Sequence, residues 1–142
     1  MDFKKLFIGG IIGGIAHFFL GWVVWGMLLM NTLMKHTYPG AVLIFRDEDK
    51  MVWWAMIVGN LSMGFLLAYI LLKGNVKTAM NGAMTGATVG FLSSVGMNCI
   101  MYAQMKVYGK IAMSIDVIAT VVVVAIVGAI VGWYFGRESN AA

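Results

Sequence analysis

Long apolar stretches separated by short polar ones set the pattern of this chain. No aspartate, glutamate, lysine or arginine occurs in four blocks, at residues 6–34, 51–72, 78–105 and 117–136. A helix that crosses the hydrocarbon core of a bilayer needs about 20 apolar residues, and each block supplies them. The pattern predicts one domain over residues 1–142 with four transmembrane helices, near 6–34, 52–72, 78–105 and 115–136.

The composition supports a membrane protein. Hydrophobic residues make up 61% of the chain and charged residues 11%, whereas soluble domains average about 45–50% and about 25%. Because backbone groups in lipid must bond internally, spanning segments are helices or closed barrels, and barrel strands would be shorter and alternating. We therefore predict an all-α membrane protein, a four-transmembrane-helix bundle.

The two halves of the sequence are weakly similar. Gly10 and Gly14 of the first block align with Gly82 and Gly86 of the third, and Gly64 of the second aligns with Gly128 of the fourth. A duplicated helical hairpin would produce this pattern. Chance similarity between helices of low complexity is the alternative.

Glycines recur at every fourth position in the third and fourth blocks. Glycine is a poor helix former, but small residues on one face allow two membrane helices to approach closely. The faces either pack the helices of one chain together, or one of them, on the fourth helix, forms a homo-oligomer seam. The predicted packing residues are Gly82, Gly86, Gly90, Gly128 and Gly132.

Polar and aromatic residues at similar depths predict a cavity on the outer-loop side, which we define as the side of the connections between helices 1 and 2 and between helices 3 and 4. Trp25 is too deep for a simple interfacial anchor, and we expect it to border this cavity with Asn98 and Asp116. An acid in the first helical turn also favours the helix dipole, which is the alternative for Asp116. The candidate ligand-binding residues are Trp22, Trp25, Asn60, Ser94, Asn98, Asp116 and the intramembrane His17.

Several classes of function are disfavoured. No enzyme signature or basic cluster is present, so we predict neither catalysis nor nucleic-acid binding. The single cysteine, Cys99, excludes an internal disulfide and a cysteine-based zinc site. Met97, Met101 and Met105 have helical spacing, and thioethers bind Cu(I), but methionine is also a flexible filler of apolar cores. We adopt the filler interpretation and predict no cofactor and no metal site.

Two segments carry a family resemblance. "FFLGWVVWGMLLM" (18–30) and "SIDVIATVVVVAIVGAIVGWYFG" (114–136) resemble an uncharacterised family of small bacterial four-helix integral membrane proteins, a domain of unknown function. The resemblance implies a four-helix bundle, no established activity, and special positions at Gly21, Trp25 and Asp116. The sequence departs from the family in lacking a proline after the aromatics of helix 1 and in its longer first loop.

These features predict a non-enzymatic integral membrane protein that assembles through glycine-rich helix faces, as a homo-oligomer or a small accessory subunit. The alternative is a small carrier or channel for an ion or small solute, which uses the polar-aromatic cavity. The expected partners are the lipid bilayer and other membrane subunits, with any small-molecule ligand unknown. Basic residues are divided five to five between the two sides. Because four of those on the terminal side adjoin helix ends, we expect cytoplasmic termini. The family resemblance implies a bacterial protein, and we expect it in the inner membrane.

Overall fold

Within the part of the chain that the structure describes, four helices are long and apolar enough to cross a membrane. The computed structural model describes residues 2–140, apart from the side chains at positions 48, 139 and 140. The predicted all-α four-helix membrane bundle is confirmed. Its helices are α1 (Phe3–Gly21), which continues as a π-helical segment (Trp22–Leu28), the short α2 (Met30–Lys35), α3 (Trp53–Lys73), α4 (Ala79–Gln104) and α5 (Lys110–Asn140).

Two helix boundaries differ from the sequence prediction. The first predicted helix is interrupted where the Leu29 amide donates to the Val24 carbonyl at 2.8 Å, the i→i+5 bond of a π-helix. The fourth begins at Lys110 instead of near residue 115. Asp116 is therefore beyond the first turn, where the helix dipole no longer explains it.

Helix α5 is the central helix of the bundle. Helix α4 packs almost entirely against α5, while α1 packs against α3 and α5. We call α1 and α3 the first pair, and α4 and α5 the second pair. Helices α3 and α4 touch little, although only a short turn joins them.

The apolar core joins α3 to α5. Leu67, Ala68 and Leu71 of α3 contact a row of α5 side chains. That row has a helical spacing of three or four residues, so it forms one continuous stripe. Its members are Val123, Val124, Val127, Val131 and Phe135.

The predicted glycine faces are buried between the helices of the second pair. A methyl group on Gly82 would meet the backbone of Gly128, one on Gly86 would meet the backbone of Val124, and one on Gly132 would lie 2.6 Å from the Thr78 carbonyl oxygen. The five predicted packing glycines, Gly82, Gly86, Gly90, Gly128 and Gly132, are all buried in the single chain.

The first pair repeats this contact. A methyl group on Gly64 would meet the backbone of Gly10 and Gly14, just as one on Gly128 meets Gly82 and Gly86. These are the glycines that align between the two halves of the sequence. Equivalent residues thus make equivalent contacts, as a duplicated hairpin predicts.

The outer-loop side is closed by a short backbone pairing. Thr37 and Tyr108 form an antiparallel bridge, in which the Tyr38 amide donates to the Val107 carbonyl at 3.0 Å and the Gly109 amide to the His36 carbonyl at 2.9 Å. The pairing fixes the α4–α5 connection against the end of α2.

Candidate functional site

The side chains of Trp25 and Asn98 both bond to the carboxyl group of Asp116. Trp25 Nε1 donates to Asp116 Oδ1 at 2.8 Å, and Asn98 Nδ2 donates to Asp116 Oδ2 at 2.8 Å. Asn98, which is 7% exposed, also donates to the Ser94 carbonyl at 3.0 Å. We call Trp25, Asn98 and Asp116 the Asp116 cluster; the sequence had predicted that these three residues lie together.

The π-helical segment carries Trp25 into this cluster. Residues 22–28 have the wider i→i+5 turn, which changes the angular spacing between Trp22 and Trp25. Trp25 packs against the core, whereas Trp22 is 55% exposed and faces outward. Short π-helical segments within α-helices are frequent at functional sites.

Both oxygens of the Asp116 carboxyl group accept from neutral donors. Within the described part of the chain, the ion pairs are Lys5–Glu138 and Lys50–Asp47, so no basic side chain is paired with Asp116. A carboxylate offers about four acceptor positions, and the two bonds use half of them. The group therefore retains capacity for a further donor or a cation.

Tyr108 lies beside the cluster in the α4–α5 connection. Burial raises the pKa of the Tyr108 phenol above its ordinary value of 10.0, and the negative charge of Asp116 raises it further. Its ring also contacts that of Phe45, with centroids 6.2 Å apart. Tyr108 was not among the predicted site residues. The available signal was an aromatic residue next to Gly109 in a short connection, and it is a weak one.

The cavity beside the cluster is small. It has room for about one water-sized atom, roughly 10 Å³. We expected Trp25, Asn98 and Asp116 to border one cavity, but of these three only Asn98 lines it, because the side chains of Trp25 and Asn98 bond to Asp116 directly. Its lining residues are Asn98, Met101, Tyr102, Met105, Val107, Tyr108 and Met113.

His17 and Asn60 form a separate polar pair between α1 and α3. The Asn60 amide nitrogen donates to the Met56 carbonyl at 2.7 Å, so its oxygen faces His17 and accepts from Nδ1 at 2.7 Å. Asn60 also lines an apolar groove of about 200 Å³ between these helices. The candidate residues thus divide into two sites, because depth in the membrane does not specify which helix a side chain faces.

Ser94 connects only indirectly to the Asp116 cluster. It is 6% exposed, and its hydroxyl donates to the Phe91 carbonyl of its own helix at 3.2 Å. Its backbone carbonyl accepts from Asn98 and so helps to orient that amide. The described residues contain no group of three histidine, cysteine or acidic side chains that could hold a metal ion.

No family model matches this chain, and no curated protein or solved structure is significantly similar to it. The resemblance to small bacterial four-helix membrane proteins therefore stays a prediction.

Proposed function

We propose that this chain is a non-enzymatic integral membrane protein that assembles with copies of itself in the bilayer, through the face of α4 that is turned away from α5. The predicted glycine seams are occupied within the chain, so the contact between copies uses a different surface. We call this surface the outer α4 face.

The supporting observation is a mismatch between polarity and position. In its most apolar stretch, α4 has a mean hydropathy of 1.2, and 22% of the residues there are buried. The corresponding stretch of α5 has a mean hydropathy of 2.7, and 39% of its residues are buried. The helix that exposes more of its surface is the less apolar one. Lipid favours the opposite arrangement, since polar groups are costly in hydrocarbon. A protein surface against α4 resolves the mismatch.

Small and polar residues follow the outer α4 face. Asn81, Thr88 and Cys99 are exposed and are spaced by seven and eleven residues, which keeps them on one side of a helix. Gly96, near this line, has no neighbouring atom within 4 Å of an added methyl group. Small residues and interhelical hydrogen bonds are the features that associate helices in lipid.

The single cysteine provides a direct test. Cys99 is exposed and lies five residues before the end of α4 at Gln104. A short bismaleimide added to native membranes should link two chains through Cys99. The matched control is Cys99→Ser with Val58→Cys, because Val58 is 54% exposed and lies five residues inside α3 at the same membrane side. Equal cross-linking of the wild-type protein and of this control would contradict the proposal.

A bulky substitution on the outer α4 face provides a second test. Gly96→Phe should lower the Cys99 cross-link and shift the detergent-solubilised protein to a smaller size. Gly59→Phe is the control, since a methyl group on Gly59 of α3 also meets nothing within 4 Å. An unchanged size for Gly96→Phe would exclude the outer α4 face.

One observation favours a second candidate function, a small carrier for a cation. The Asp116 carboxyl group has neutral partners and unused acceptor positions beside a small cavity. If this group binds one of the ions Na⁺, K⁺ or Li⁺, the salt of that ion should raise the melting temperature of the wild-type protein. Asp116→Asn should abolish the rise, and an equal rise in both would exclude this role.

We further propose that the protein lies in a bacterial inner membrane with both termini in the cytoplasm. Lys4 and Lys5 adjoin the start of α1, and Lys73 and Lys77 flank the α3–α4 turn. Basic residues close to helix ends favour the cytoplasmic side. A reporter that is active only in the cytoplasm, fused after residue 142, should be active if this orientation holds and inactive if it does not.

A further inference from the structure

Three methionines converge on the small cavity beside the Asp116 cluster. Met101 lies in the last turn of α4, Met105 is the residue that follows this helix, and Met113 comes from the first turn of α5. We propose that these three thioethers bind one soft monovalent cation, Cu(I) or Ag(I). This site does not depend on assembly of the chain.

The ligand chemistry selects such an ion. Thioether sulfur is a soft donor that favours Cu(I) over hard cations such as Mg²⁺ or Ca²⁺. The cavity has room for about one water-sized atom, roughly 10 Å³, which suits a single ion and excludes an organic molecule. Three methionine residues therefore line a space of the right size for one ion.

The charges around the cavity act in both directions. Helix α4 ends at Gln104, so its last carbonyl groups, at the negative end of the helix dipole, lie next to Met101 and Met105. Asn98 lines the cavity and donates to the carboxyl group of Asp116. These two features favour a positive charge, whereas the N-terminus of α5, close to Met113, and the nearby basic residues oppose it. The proposal therefore depends on the thioether ligands and not on the surrounding charge.

Silver provides the simplest probe because Ag(I) does not change its oxidation state in the assay. The purified protein should carry Cys99→Ser throughout, since an exposed thiol two residues from Met101 would itself bind silver. We expect one bound Ag(I) per chain by elemental analysis. Cu(I) under anaerobic conditions, in competition with a chelator, should give the same stoichiometry.

The decisive variant is Met101→Leu with Met113→Leu, a change that conserves volume and polarity pattern. The affinity of this double variant for Ag(I) should fall about tenfold or more, since loss of even an outer-shell partner of a metal site lowers metal affinity about 10–100-fold. The control is Met80→Leu with Met84→Leu, whose side chains are 71% and 63% exposed near the other end of α4. Equal silver binding by the two double variants would overturn the site.

X-ray absorption at the silver edge tests the site without any methionine variant. In the Cys99→Ser protein, we expect a nearest shell that contains sulfur, and this sulfur can come only from methionine. A shell of oxygen and nitrogen alone would overturn the proposal even if one equivalent of silver is bound.

Discussion

The first and second helix pairs are built on the same plan but differ in what their glycines meet. Each pair has a glycine contact at equivalent positions, around Gly64 in the first and Gly128 in the second. Each also has one interhelical side-chain hydrogen bond nearer the outer-loop side, His17–Asn60 in the first and Asn98–Asp116 in the second. The plan is therefore a backbone contact plus a polar link.

The difference is in how much of each contact is backbone. In the first pair a central group of glycines (Gly13, Gly14 and Gly64) meets backbone, but Gly9 and Gly10 face the rings of Phe135 and Phe65, which are side chains. In the second pair the backbone contacts extend from Gly136, against Lys77, as far as Gly90, against Thr120. A ring can rotate to admit an added group, whereas two packed helix backbones must separate. We therefore expect the glycine contact of the second pair to be the less able to relax.

The largest effect should come from breaking the backbone seam of the second pair. Gly86→Leu and Gly132→Leu should each destabilise the detergent-solubilised protein by about 1–3 kcal/mol or more, because the new side chain overpacks a contact between backbones. Gly10→Leu should cost less, since the half-buried ring of Phe65 can move. Thermal unfolding of the three variants measures the order.

Gly59→Leu controls for the loss of a helical glycine. An added methyl group at Gly59 meets nothing within 4 Å, so its melting temperature should stay close to that of the wild-type protein. If Gly86→Leu melts like Gly59→Leu, the seam does not hold the second pair together.

A smaller effect should follow from removing the carboxyl group of the Asp116 cluster. Asp116→Leu leaves the Trp25 and Asn98 donors without their acceptor, which should cost about 1–3 kcal/mol. Ser114→Ala is the control, because the Ser114 hydroxyl is exposed and bonds only to the Lys110 carbonyl of its own helix. A double-mutant cycle between Asp116 and Asn98 should show coupling; additive losses would mean that the bond contributes nothing.

The polar link of the first pair should contribute less than that of the second. His17 and Asn60 share one hydrogen bond, and Asn60 keeps a second bond to its own helix. Interhelical hydrogen bonds in membranes average about 0.6 kcal/mol, with a maximum of about 1.7. Asn60→Leu should therefore lower the free energy of unfolding by less than Asp116→Leu. A larger loss would reverse the comparison between the pairs.

The sequence predicts the helices better than their ends. Charge-free blocks locate the four membrane spans, because the cost of burying charge in lipid is large. They do not locate the start of α5, since Lys110 and Ser114 are polar residues that lie in the helix beyond the apolar core. The π-helical segment is not predicted either, because Trp25 reaches Asp116 through a tertiary contact.

The sequence predicts how deep the candidate residues lie in the membrane but not which helix each side chain faces. Counting residues from the membrane edge brings Trp25, Asn98 and Asp116 to one level, and their side chains do meet. The same count included Asn60, which faces His17 instead. Only the packing of α1 against α3 determines that orientation.

The smallest predicted effect is a pH dependence that belongs to the second pair. Burial first, and then the charge of Asp116, raise the pKa of Tyr108 above 10.0. The folded chain thus holds this proton more tightly than the unfolded chain does. Its contribution to stability is full below the ordinary pKa, and it is lost as the pH rises through the higher value of the folded state.

Tyr108→Phe should remove this dependence. Between about pH 9 and 11, where tyrosine and lysine both titrate, the melting temperature of the wild-type protein should fall more steeply than that of Tyr108→Phe. The slope for Asp116→Asn should lie between those of the wild-type protein and Tyr108→Phe, because this variant removes the second cause of the raised pKa. Tyr38→Phe controls for the loss of one phenol on the outer-loop side. Parallel curves for the wild-type protein and Tyr108→Phe would contradict the raised pKa of Tyr108.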